Sequence, residues 1–186
     1  LSLLGAIVGF VVALIIIFSG SMNPILICTY AACQGLFLGG ITWIIEYQYN
    51  APGLGIVAAV LTFLILGVML SIYRAGLISW NKNMQIAVTS SMVAILLIYL
   101  VSFIGSFVGF EVPLIHGNGT VGIAFSVFVV GIASLCLVAD FDFIERGVER
   151  GAPKQLEWRA AFGLLVTLIW LYLEILKLLA KLTSRR

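Results

Sequence analysis

The sequence predicts an all-α membrane protein, a polytopic helix bundle that forms one integral membrane domain over residues 1–186. Hydrophobic residues make up 62% of the chain and charged residues 10%, whereas about 25% of the residues in soluble domains are charged. Several apolar runs reach the roughly 20 helical residues needed to cross about 30 Å of hydrocarbon. These runs lack the alternation of apolar and polar residues that marks the strands of a membrane barrel.

The apolar runs predict six membrane helices in this chain. Five of them are long enough to span the bilayer: Pro24–Ile45, Pro52–Tyr73, Gln85–Phe110, Thr120–Ala139 and Ala160–Ala180. The sixth, Leu1–Phe18, is slightly short, and it lacks the basic start and the small-residue cleavage site of a signal peptide. Because this run begins with Leu rather than Met and has no polar flank, we expect the natural chain to begin upstream.

The charges of the loops predict how the bundle is oriented. We name the side that is reached after the first run side A, and the opposite side is side B. Six Lys and Arg residues lie in the side-A loops, Ser19–Asn23, Arg74–Met84 and Asp140–Arg159, and none lies in the side-B loops, Glu46–Ala51 and Glu111–Gly119. The positive-inside rule therefore predicts that side A is cytoplasmic. The basic C-terminal tail, which this topology puts on side B, opposes that assignment.

Small residues at four-residue spacing predict where two helices approach closely. Gly35 and Gly39 form such a pair, and pairs of this kind let helix backbones pack tightly in a membrane. Gln34 lies beside the pair and could form a hydrogen bond to a neighbouring helix.

Glu174 is the most informative residue because it interrupts an apolar membrane run. A carboxylate at the centre of a membrane helix costs about 2.5–3.5 kcal/mol on insertion scales, so it usually faces the bundle interior, a partner or a water-filled path. Steps of three or four residues place it on a polar stripe of the last helix, made of Gly163, Thr167, Trp170, Glu174, Lys177 and Lys181. Two interpretations follow. Glu174 pairs with Lys177 near the side-B interface, or it is a titratable group that lines a path.

Other acidic residues are further candidates for the same site. Asp140 directly follows an apolar run, at the hydrocarbon boundary, where it is either a surface residue that caps a helix or a functional acid. Asp142 is spaced i,i+4 from Arg146, which predicts a solvated ion pair on a helix. Glu46 ends a helix on side B, the side nearer to Glu174, and is a second candidate partner for it.

Other function classes are disfavoured by what the sequence lacks. It contains no Ser-His-Asp set and no His-Glu-x-x-His motif, so we do not expect an enzyme. Cys28, Cys33 and Cys136 do not have the spacing of zinc ligands and are interpreted as small packing residues. We therefore expect no cofactor, no metal centre and no nucleic-acid partner.

The C-terminal third of the chain resembles a known family. The residues that carry the resemblance are Asp140-Phe-Asp-Phe-Ile-Glu, Gly151-Ala-Pro, Trp158, and then Ala-Phe-Gly-Leu-Leu-Val-Thr-Leu-Ile-Trp-Leu-Tyr-Leu-Glu-Ile-Leu. They resemble the bacterial branch of the Bax inhibitor (transmembrane Bax inhibitor motif) family, closely over residues 120–182 and loosely over the whole chain. The resemblance implies seven helices with the last one central, so that one helix is missing upstream of Leu1. It also implies a bacterial plasma membrane.

The resemblance further implies a function. Members of the family are described as pH-sensitive calcium-leak channels that are gated by two acids, one on the penultimate helix and one on the last. Asp140 and Glu174 match these positions, although Glu174 stands where the family usually has Asp. The two residues are 34 positions apart (174 minus 140), a longer spacing than the resemblance leads us to expect. On straight helices joined by a tight loop, their carboxylates would miss each other.

Three hypotheses therefore remain open after the sequence alone. The first is a proton-regulated cation leak channel, in which Asp140 and Glu174 are the gate. The second is a regulatory membrane protein, because one bacterial relative binds and restrains a membrane-anchored ATP-dependent protease. The third is a small-molecule transporter, which is the weakest because the sequence shows no clear pair of broken helices.

Overall fold

Six α-helices build the part of the chain that the computed structural model describes, residues 2–108 and 119–184. They are α1 (Ser2–Ser19), α2 (Pro24–Gln48), α3 (Leu54–Arg74), α4 (Lys82–Val108), α5 (Thr120–Glu149) and α6 (Leu156–Thr183). These residues contain no strand, and all six helices are long and apolar enough to cross a membrane. The predicted all-α fold with six helices is therefore confirmed. Most of the predicted side-B loop Glu111–Gly119, and the end of the predicted run Gln85–Phe110, lie outside the described residues.

Polar residues and glycines at the helix ends determine where α2 begins and where α5 ends. Asn23 precedes α2, and its side-chain oxygen accepts a hydrogen bond from the Ile25 amide at 3.0 Å, which satisfies one of the free N–H groups of the first turn. Helix α5 ends in a Schellman motif, in which Gly151 has a φ of 58°. There the Gly151 amide donates to the Val148 carbonyl and the Ala152 amide to the Gly147 carbonyl, both at 3.0 Å.

Helix α5 is longer than its predicted apolar run. The sequence places the end of that run at Ala139, but the helix continues to Glu149. The reason is that helical hydrogen bonds do not stop at the hydrocarbon boundary, and the charged residues that follow are spaced so that they can pair along the helix. The turn to α6 is consequently short and lies at the side-A end of both helices.

The last helix is the centre of the bundle, as predicted. It packs against α5, α3 and α2, and within residues 160–180 only Ala161 and Val166 are exposed. Leu171 and Leu176 of α6 are fully buried in the main core with Leu137 of α5. Polar side chains on the inner face of α6 are therefore held away from lipid.

Close packing of α1 on α2 depends on glycines other than the predicted pair. A methyl group at Gly5 would lie 2.7 Å from the Cys33 carbonyl oxygen, so only glycine fits there without a shift. Gly35 and Gly39, in contrast, face open space. The prediction that they form a helix contact is wrong in the described structure, because spacing alone does not indicate which face of a helix meets a neighbour.

Candidate functional site

The Glu174 carboxylate lies inside the bundle and is fully partnered. It is among the most deeply buried side chains of the described residues. The Tyr99 hydroxyl of α4 lies 2.9 Å from each carboxylate oxygen. The Trp170 indole N–H donates to Oε1 at 3.2 Å, and the Lys177 ammonium donates to the same oxygen at 2.9 Å. A buried charge needs such partners, because unpaired it would cost several kcal/mol.

Helical spacing on α6 explains three members of this network. Trp170, Glu174 and Lys177 are separated by four and three residues, so they share one face of the helix. The predicted pair of Glu174 with Lys177 is present. The Tyr99 hydroxyl was not predicted, since it comes from another helix. The sequence indicates this partner only in that a tyrosine lies inside the apolar run Gln85–Phe110, because a buried tyrosine hydroxyl usually has a hydrogen-bond partner.

Lys177 is a partly exposed member of the Glu174 network. Its side chain is 43% exposed, whereas that of Glu174 is 2% exposed. The Lys177 ammonium also lies 4.7 Å from the centroid of the Tyr99 ring, a distance at which an aromatic face attracts a cation. The ammonium therefore has two favourable contacts, one with the Glu174 carboxylate and one with the Tyr99 ring.

A second lysine is buried one turn further along the stripe. The Lys181 ammonium donates to the Gly122 carbonyl at 3.1 Å and to the Ser126 hydroxyl at 2.9 Å. Both acceptors belong to the first turns of α5 and both are neutral, so Lys181 brings a positive charge into the side-B end of the bundle. Lys181 was predicted to lie on the stripe, but its acceptors were not predicted.

Asp140 is on α5 and faces the same stripe of α6, nearer to side A. A Cβ atom at Gly163 would be 3.5 Å from its Oδ1 atom, and Thr167 is beside the carboxyl group. The Thr167 hydroxyl donates to the Gly163 carbonyl at 3.2 Å. The other oxygen of Asp140, Oδ2, is buried and has no hydrogen-bond partner among the described residues. Asp140 is thus a partly satisfied acid that faces the central helix.

The two acids do not contact each other. Asp140 faces Gly163 and Thr167, and Glu174 lies eleven and seven residues further along α6. At 1.5 Å per residue this is a separation of about 10–16 Å along the helix axis. Glu174 is part of the predicted polar stripe of α6, and Asp140 faces that stripe from α5, nearer to side A.

The remaining candidate residues lie elsewhere. Glu46 accepts a hydrogen bond from the Gly55 amide at 2.8 Å, and so caps the start of α3 instead of reaching Glu174. Asp142 forms the predicted ion pair with Arg146 at 2.8 Å. Gln34 packs against α1 at Gly9, and its side-chain oxygen is buried without a partner in the described structure.

Near Glu46, a hydrogen-bonded pair joins α2 to the central helix. The Thr42 hydroxyl and the Tyr172 hydroxyl are 2.6 Å apart. Tyr172 is two residues before Glu174, so it points to a nearly opposite face of α6. The Glu46 region is therefore separated from the Glu174 network by the central helix itself.

Comparison with known proteins places the chain in a family. No curated protein and no solved structure matches it. The sequence profile described as Bax inhibitor 1 like matches residues 1–184, which is nearly the whole chain. The chain therefore belongs to the Bax inhibitor 1 like family of membrane proteins.

Proposed function

We propose that this protein is a membrane channel through which calcium or another cation leaks, and that protonation of Asp140 and Glu174 regulates the leak. The observation that carries the proposal is that both acids lie along the polar stripe of the central helix, Glu174 as a member of the stripe and Asp140 facing it from α5. Asp140 lies beside Gly163 and Thr167, and Glu174 follows toward side B. Membrane residues of this kind commonly mark the pathways of ions and protons.

The chemistry of the stripe suits a hard cation. Calcium prefers oxygen ligands such as carboxylates, carbonyls and water. The free Oδ2 atom of Asp140 is one such ligand, and the Glu174 carboxylate is another that is at present occupied by Lys177, Tyr99 and Trp170. Protonation would remove a charge from either acid, and with it much of its attraction for a cation.

The test is calcium flux into liposomes that contain the purified protein and an internal calcium dye, measured across a series of pH values. Glu174→Gln and Asp140→Asn keep the shape of each side chain and remove its charge. We expect each variant to lose much of the pH dependence of the leak. Glu157→Gln is the matched control, because Glu157 is an exposed acid on the same helix. Unchanged pH-dependent flux in both test variants, at normal expression, would remove the two acids from the mechanism.

A regulatory role is the second candidate, and one observation favours it. The side-A end of α5 exposes apolar side chains between its charges, with Val148 77% exposed and Phe143 44% exposed. Such a surface suits a protein partner. We propose that this partner is a membrane-anchored ATP-dependent protease. The regulatory role is favoured over the channel if the protein conducts no calcium and such a protease co-purifies with it. The Val148→Asp variant should then lose the co-purification.

A further inference from the structure

The two charged side chains of the Glu174 network differ in burial, since Glu174 is buried and Lys177 is partly exposed. The Glu174 carboxylate is held from two helices, by Tyr99 of α4 and Trp170 of its own helix. The ammonium of Lys177 has two described contacts, Glu174 and the ring of Tyr99, and its side chain is 43% exposed. A lysine stem is long and flexible and can carry its charge out to the membrane interface. Lys177 can therefore leave the network while Glu174 stays in place.

We propose that the Lys177 ammonium is a tethered cation that occupies a cation-binding site at Glu174, and that a calcium ion must displace it in order to bind. The proposal rests on the proposed function, in that it takes Glu174 to face the cation path. Lys177 is then an internal competitor of the permeant ion, attached to the same helix as the carboxylate that both ions bind.

The surroundings of the ammonium are those that a cation needs. A carboxylate oxygen lies 2.9 Å away, and the centroid of the Tyr99 ring lies 4.7 Å away. When the ammonium leaves, two carboxylate oxygens and the Tyr99 hydroxyl oxygen remain. Oxygen atoms of this kind are calcium ligands, and a phenol can accept as well as donate. Water would complete the coordination, as it commonly does for this ion.

Lys181 cannot take the place of Lys177, but it influences the site. Its ammonium is buried and held by the Gly122 carbonyl and the Ser126 hydroxyl. It lies seven residues beyond Glu174, or about 10 Å along the helix, and so remains nearby when Lys177 moves away. Its charge weakens any cation bound at Glu174, which suits passage more than tight retention.

The proposal is tested by calcium binding to the full chain in detergent, with Trp170 as the probe. The chain contains four tryptophans, and replacing Trp43, Trp80 and Trp158 by Phe leaves Trp170 as the only one. Because the Trp170 indole N–H donates to Glu174, its fluorescence should change when the carboxylate binds an ion. Calcium is titrated into this background and into the same background with Lys177→Met.

We expect Lys177→Met to lower the half-saturating calcium concentration about tenfold or more, because the removed competitor is present at the high effective concentration of a tethered group. Lys177→Arg keeps the cation and should bind like the parent. Lys154→Met, which removes an equal charge from an exposed loop, should also bind like the parent. The double variant with Glu174→Gln should lose the gain, since it removes the carboxylate that calcium would bind.

Two results would overturn the inference. One is a folded Lys177→Met protein, judged by its circular dichroism, that binds calcium no more tightly than the parent. The other is a gain that survives Glu174→Gln. If Lys177→Met does not fold, Lys177→Gln is measured in its place, because it retains a donor to Glu174. Tighter binding in a variant that conducts no calcium in liposomes would support the site and reject the channel, so the two proposals fail separately.

Discussion

Removal of one hydroxyl group tests whether the Glu174 network is built as described. Tyr99→Phe removes the O–H that lies 2.9 Å from both oxygens of Glu174 and leaves the ring in place. A hydrogen bond to a charged group contributes about 1.5–3 kcal/mol. Neutral hydrogen bonds between membrane helices average only about 0.6 kcal/mol in double-mutant cycles. The size of the loss therefore also reports whether Glu174 carries a charge.

The measurement is the free energy of unfolding by SDS in mixed micelles, for the parent, Tyr99→Phe, Glu174→Gln and the double variant. With an ionised Glu174 we expect Tyr99→Phe to cost about 1.5–3 kcal/mol in the parent and about 0.6 kcal/mol in the Gln background. Tyr47→Phe is the control, because Tyr47 is largely exposed, and it should change stability by less than about 0.5 kcal/mol. A Tyr99→Phe variant that is as stable as the parent would refute the network, and a coupling energy near zero with a loss of about 0.6 kcal/mol would indicate a neutral Glu174.

Three further predictions concern other parts of the chain. Gly5→Ala should destabilise the protein by about 1–3 kcal/mol in the same assay, because the methyl group would meet a backbone carbonyl of α2. Gly35→Ala is the control and should be neutral or slightly stabilising, because Gly35 faces open space. The effects of Asp140→Asn and Glu174→Gln on pH-dependent flux should be additive, since the two acids are separated by about 10–16 Å along the helix axis and share no partner. A double variant no worse than either single one would contradict this separation. Glu46→Ala should cost about 0.5–2 kcal/mol through loss of the α3 cap, and unchanged unfolding in SDS would argue against the cap.

Patterns within a single helix could be read from the sequence. The lengths of the apolar runs predicted the six helices, and steps of three and four residues placed Glu174 and Lys177 on one face of the last helix. These patterns depend on helical geometry alone, which is the same in every helix. They needed no knowledge of how the helices are arranged.

Contacts between helices could not be read in this way. The acceptors of Lys181 and the hydroxyl partner of Glu174 come from α5 and α4, and no spacing within α6 indicates them. The same limit explains Gly35, whose spacing is that of a packing residue although α2 turns that face to open space. The partner of Glu46 was also missed, because the cap of α3 depends on how the loop after α2 folds back.

The point at which α6 begins matters for more than the path of the chain. Gly151 and the two hydrogen bonds around it end α5, and α6 begins five residues later, at Leu156. One residue inserted within α6, between Leu156 and Glu174, would rotate the rest of the helix by about 100° and move it by about 1.5 Å. Glu174 would then face away from Tyr99, although every residue of the network was still present. The number of residues between the start of α6 and Glu174 is therefore as much a part of the site as the acids themselves.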